Sequence, residues 1–179
     1  NNFSINRIQK SGAVFDIDKL NWINEQYLRA LPIEEIANRA RPFFHDQGFD
    51  LTDNEKYIKA VDNGRQRVST LSEIPDKCKM FFDDIILKEE YVELINNNKS
   101  QKLLEFLYKK IDSKSNLDGL EFKKIIDQIG IDLNISGKDL FFPVRIVLYG
   151  DSKGPDLPII YSILGKNITL ERIAKFKLN

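Results

Sequence analysis

The sequence predicts an all-α protein, on three observations. Apolar residues recur at three- and four-residue steps through almost every segment. Capping residues stand ahead of most of these stripes. Sustained two-residue alternation, the mark of half-buried strands, is nearly missing. In chain order, Leu20, Ile23, Tyr27, Leu28 and Leu31 form a first stripe, with Asp16 and Asp18 available as caps. After Pro32, Ile33, Ile36, Ala37, Ala40 and Phe44 form a second. Thr52 and Glu55 have capping-box spacing ahead of Tyr57, Ile58 and Val61, and Thr70 and Glu73 repeat it before a short helix through Met80 and Phe81. Leu103, Leu104, Leu107 and Ile111 mark the next helix. Leu120, Ile125, Ile126 and Ile129 follow, with Gly130 placed as a left-handed helix stop. Ser136 precedes Leu140, Phe141, Val144 and Leu148. Pro143 inside that pattern predicts a bend, and although Phe141–Tyr149 is rich in β-branched residues, its length and caps fit a helix at least as well. Gly150–Pro158 reads as a loop. Leu157, Ile160, Tyr161 and Leu164 then predict a helix ending at Gly165, and Asn167 caps a last one with Leu170, Ile173 and Phe176.

Composition excludes several classes. The 12 Phe, 6 Tyr and many Ile and Leu among 179 residues supply enough apolar area to offset the entropy of ordering, so disorder is excluded. A single Cys excludes a disulfide scaffold. No apolar run approaches the roughly 20 residues that span a bilayer, and no membrane association or signal peptide is expected. His45 and Cys78 cannot build a zinc site or a His-dependent triad between them. The chain begins at Asn1 rather than Met, which points to a fragment or to a trimmed start, and either leaves room for a catalytic domain upstream.

Net charge is zero, 27 basic against 27 acidic residues, but this is an average over unlike segments. Met80–Asn98 carries five acids against Lys88 alone, and the stretches 99–130 and 131–179 each carry seven basic residues against five acids. The acidic stretch places a boundary near Lys77–Phe82, and the uneven field can steer an anionic partner despite the zero sum.

Few constellations suggest chemistry. Asp83 and Asp84 are adjacent, so they point to different helix faces, and a solvated helix end is the simpler reading. His45 suits a helix C-terminus and Cys78 a packing role. Arg65 and Arg67 flank Gln66 on a predicted helix corner, where guanidinium forks can read base edges; ordinary surface arginines are the alternative. Arg145, set among Val144 and Ile146, must snorkel or find a partner such as an RNA base or phosphate. The loop containing Gly150 and Gly154 lets backbone approach a ligand closely, and Trp22, the one tryptophan, reads as core.

Three segments in order resemble one family. Phe15–Asn24, with Tyr27 and Arg29, resembles the junction after the catalytic half of bacterial glutamyl-tRNA synthetases. Arg65-Gln66-Arg67 before Thr70-Leu71 is similar to the helix corner of their first anticodon-binding subdomain. Phe142–Gly150 followed by Gly154-Pro155-Asp156-Leu157 resembles their C-terminal motif. The resemblance implies a helical bundle or cage: residues 1–32 as the end of a stem-contact region, 33–79 as anticodon-binding subdomain 1 and 80–179 as subdomain 2. It implies a cytoplasmic, monomeric ligase that joins glutamate to tRNA-Glu with ATP and Mg²⁺. The HIGH and KMSKS adenylation motifs do not occur here, so this stretch would hold no catalytic residue, no metal and no cofactor of its own, and DNA is not an expected partner. Arg67 matches the arginine that contacts the third anticodon base, and Arg145 the one among the splayed bases. Gly154 and Leu157 fall on the loop approaching the first two bases, with Gly154 where some relatives carry Thr. Lys19 and Trp22 match basic and aromatic residues at the tRNA arm, with Arg65 beside Arg67 as a further contact. Bases of an anticodon are unstacked, so a near-neutral domain can read them by stacking and edge contacts. A helical protein–protein adaptor is the competing reading.

Overall fold

A computed structural model describes residues 16–177. Phe15 of the first family-like segment, and the rest of residues 1–15, lie outside the described residues. Those described form an all-α architecture with no strand. The helices are α1 (Ile17–Ala30), α2 (Ile33–Asp46), α3 (Asn54–Gly64), α4 (Ile74–Phe82), α5 (Val92–Asn96), α6 (Asn98–Asp112), α7 (Gly119–Leu133), α8 (Lys138–Tyr149) and α9 (Leu157–Phe176). Single 3₁₀ turns at Arg65–Arg67, Leu71–Glu73 and Glu89–Tyr91 serve as connectors.

The periodic stripes of α2, α3, α6 and α7 face the core through Phe44, Tyr57, Leu104 and Ile126, all fully buried. The stripe of α1 does not: of its apolar residues only Leu28 is buried, while Tyr27 is 63% and Trp22 61% exposed. This helix lies at the margin and packs mainly through its last turn, so helical spacing specified a helix without specifying a covered face. The segment Phe141–Tyr149, ambiguous by composition, is helical and runs through Pro143.

Several termini differ from the spacing-based expectation. Asp53, not Thr52, caps α3 by accepting from Lys56 N at 2.9 Å, while Thr52 N–H is held by Asp50 Oδ1. A carboxylate outcompetes the neighbouring hydroxyl for the orphan donor. The full capping box belongs instead to α7, through Asp118 and Glu121. Thr70 donates to Glu73 Oε1 while Glu73 Oε2 accepts from Ser69 N, a local brace and not a reciprocal box. Gly130 does not stop α7; Asn134, with φ 52° and ψ 48°, does. Gly130 is buried where a Cβ would lie 2.6 Å from Leu140 Cδ2 and 2.9 Å from Ile135 O, so the residue allows α7 and the start of α8 to meet. Gly137, not Ser136, stands at the N-cap of α8. The expected break at Gly165 is present: its φ of 70° and ψ of 178° interrupt α9, a conformation that side chains rarely adopt.

The buried side chains form one continuous cluster from Leu28 to Ile173, passing through the Lys77–Phe82 region without interruption. α9 lies against α3, α4, α6, α7 and α8. Near its C-terminal end Arg172, only 8% exposed, uses both terminal nitrogens twice. Nη1 donates to Met80 O at 2.9 Å and to Leu148 O; Nη2 donates to Phe81 O and to Asp83 O at 2.9 Å. Burial lowers its pKa to about 10, with Asp84, Glu171 and Asp83 opposing the shift, so it stays charged at neutral pH. Replacing Arg172 by Met leaves these carbonyls without their donor. The expected loss of stability is about 3 kcal/mol, read as a fall in the urea midpoint. Arg172→Lys recovers only part of it, because an ammonium lacks the planar fork. Midpoints equal to wild type in both variants would show that the tie does not hold the fold.

Candidate nucleic-acid interface

Arg145 lies one turn before the end of α8, flanked by buried Val144 and Ile146. It is half-buried. Its Nη1 donates to Ser152 O at 3.0 Å, while its Nε is buried with no partner among the described residues. Beside it lies a depression of ≈ 270 Å³, lined by Arg145, Leu157, Phe141, Lys123, Asp156 and Pro158. Phe141 precedes Arg145 by four residues and so shares its helix face, a relation readable from sequence. Lys123 comes from α7, and nothing local announced it. A guanidinium, an aromatic ring and an aliphatic side chain around one recess suit a planar heterocycle, with Lys123, ion-paired to Asp127 at 2.7 Å, also in the lining.

The loop between α8 and α9 is held in place from outside. Asp151 accepts from Lys88 Nζ, from Tyr91 Oη at 3.1 Å and from Lys153 N at 3.1 Å, and Tyr91 Oη also meets Ser152 Oγ at 3.3 Å. These bonds, Lys88 foremost, draw the Asp151 carboxyl down to about 2. Gly154 is exposed, yet a Cβ there would lie 2.5 Å from the Tyr149 ring, so this loop path requires glycine unless the ring moves. Gly154 does not line the depression; Leu157, three residues on, does.

The remaining candidates lie elsewhere. Arg67 is exposed on the turn after α3, with Nη2 donating to Asn63 Oδ1 at 2.7 Å. Arg65 is spent structurally: Nε meets Asp62 Oδ1, and Nη1 donates to Leu28 O at 3.1 Å and Leu31 O at 2.6 Å, closing the end of α1 onto α3. Arg29 returns the tie by donating to Gln66 O. Lys19 and Trp22 sit three residues apart on exposed α1, so Trp22 is surface and not core. Cys78 is fully buried, donates to Ala60 O, and burial pushes its thiol up to about 12. His45 is an exposed residue in the last turn of α2. Among the described residues no three His, Cys, Asp or Glu side chains gather as metal ligands, and no helix is long and apolar enough to cross a membrane.

The described residues form an all-α domain with a recess beside Arg145. A family description, Anticodon binding domain, matches residues 35–177, and the chain belongs to that family. It is 34% identical over 183 residues to the glutamate–tRNA ligase of Natranaerobius thermophilus, covering 96% of this chain and 36% of that protein. It is 35% identical over 180 residues to that of Akkermansia muciniphila, covering 99% and 40%. The crystal structure of a glutamate–tRNA ligase from Elizabethkingia meningosepticum, in complex with its amino acid, superposes with a TM-score of 0.82 at 25% identity, over 97% of this chain and 34% of that one. The chain thus spans a little over a third of the length of these relatives.

The Asp151 clasp has a defined pH signature. Because its folded pKa is depressed from 3.8 to about 2, its contribution to stability is complete above the unfolded value and is lost as pH falls towards 2. The stability gap between wild type and Asp151→Asn, followed by urea denaturation, should stay constant from pH 7 to 5 and close between about pH 4 and 2. A gap that does not change with pH would show that the carboxylate's charge is not what holds the loop.

Proposed function

We infer that this chain recognises the anticodon of tRNA-Glu as part of a glutamate–tRNA ligase, and that activation of glutamate with ATP and Mg²⁺ belongs to residues of the longer protein outside it. The observation that carries this reading is the recess in which Arg145, with an unpartnered Nε, meets Leu157 and Phe141. Arg145 stacks on or donates to the first two anticodon bases. Leu157 supplies apolar contact, and the constrained loop at Gly154 offers backbone donors and acceptors. Arg67, with most of its fork unengaged, reads the third base and separates tRNA-Glu from tRNA-Gln. Lys19 and Trp22 touch the tRNA arm from α1. Arg65 acts indirectly, by fixing the turn that presents Arg67. Residues 1–32, 33–79 and 80–179 serve as stem-contact junction and two anticodon-binding subdomains sharing a continuous core. The parent is a cytoplasmic monomer.

The test is binding of the chain to an anticodon hairpin of tRNA-Glu and to one altered at the third base. Wild type should prefer the first. Arg67→Ala should shrink the preference by roughly ten- to a hundredfold, the worth of one bidentate contact. Arg145→Ala should weaken both hairpins. An unchanged ratio in Arg67→Ala would remove the role given to that residue. No binding of either hairpin by wild type would favour the adaptor reading.

A further inference from the structure

A second surface of α7 carries charge that base reading does not use. Lys110, Lys114 and Lys124 line a groove of ≈ 290 Å³ between the end of α6 and the middle of α7, floored by Leu117, Ile125 and Ile129. All three lysines are exposed, and none forms an ion pair within the described residues. Their neighbours are already paired: Lys109 with Glu105 at 2.6 Å and Lys123 with Asp127 at 2.7 Å. Glu121 is the one acid lining the groove, and its Oε2 accepts from the N–H of Asp118, the cap of α7. Asp112 and Asp118 are the other acids of the connecting segment, and Asp118 is occupied in accepting from Glu121 N. Lys166 adds a fourth cation: its Nζ donates to Asp112 O at 2.9 Å and Lys114 O at 2.6 Å, covering carbonyls at the negative end of α6.

The groove and the base recess are neighbours around one helix. Lys123 lines the recess with Arg145, and the next residue, Lys124, lines the groove. Consecutive helical residues are about 100° apart, so the two depressions occupy adjoining faces of α7. A strand whose bases enter the recess would carry its phosphates across this face. We propose that the groove of Lys110, Lys114 and Lys124 binds the phosphate backbone of the RNA whose anticodon bases occupy the recess. It contributes affinity and salt dependence but no base discrimination. The proposal rests on the function inferred above and adds a contact surface to it.

The test titrates the chain with a tRNA-Glu transcript, and with one altered in the anticodon, across a series of salt concentrations. The triple variant Lys110→Gln/Lys114→Gln/Lys124→Gln should lower the slope of log K against log salt by about 2 to 3, at ~0.7 to 0.9 for each phosphate no longer neutralised. Both transcripts should weaken by the same factor, so their ratio stays fixed. The single variant Lys124→Gln should give about a third of the slope change, and an unaltered thermal melt would show that the fold is intact. A wild-type slope in a folded triple variant, with anticodon preference retained, overturns the groove and leaves the anticodon reading standing. A reduced slope in a chain without anticodon preference does the reverse. A folded variant that loses capture of an acidic protein but keeps its tRNA slope overturns the proposal in favour of a protein ligand.

Discussion

The guanidinium of Arg172 is the point at which the C-terminal ends of α4 and α8 meet the last helix. Helix ends leave carbonyls without partners, and burying them together would be costly. A single planar cation with paired donors satisfies carbonyls from both ends at once. It also sits where two negative helix termini converge, which helps a charge tolerate burial without a carboxylate contact. Consequences run outward from there. α8 is fixed two residues before Gly150, so the base of the following loop is fixed as well. Arg145, one turn earlier on the same helix, inherits its position.

The recess is therefore assembled by segments that are distant in sequence. Arg145 and Phe141 come from α8, Leu157 from α9 and Lys123 from α7. The loop leading into Leu157 is anchored by Lys88 and Tyr91, which belong to the acidic stretch preceding α5. That stretch contributes through its one lysine and a tyrosine, while its carboxylates remain exposed. The zero net charge hides a local order in which Lys109 and Lys123 are ion-paired while Lys110, Lys114 and Lys124 beside them are not. Specific contact with a small number of bases needs that local order more than it needs a large total charge.

The fold was legible because helical periodicity depends on neighbours three and four residues apart, and long stripes in α2, α3, α6 and α7 repeat that spacing. The errors came where the deciding partner was remote or where two local partners competed. Gly130 looked like a stop and proved to be a packing contact with Leu140, which lies on the next helix. Asp53 displaced Thr52 as a cap. Arg65 looked available for ligand but is engaged by Leu28 and Leu31, more than thirty residues earlier. Arg172 raised no signal at all, since nothing in its own segment shows that four carbonyls meet there.

Sequence alone determined the helical class, most helix positions, the break at Gly165 and the motifs that resemble the anticodon-binding family, because each depends on short-range spacing or local backbone preference. Tertiary structure decided which face of α1 is left uncovered, which arginines are consumed by carbonyls and which retain free donors. It also decided that Lys123 joins Arg145 and Leu157. Those outcomes are set by desolvation and by hydrogen-bond competition among groups far apart in the chain, and such groups acquire a relation only once the helices have packed.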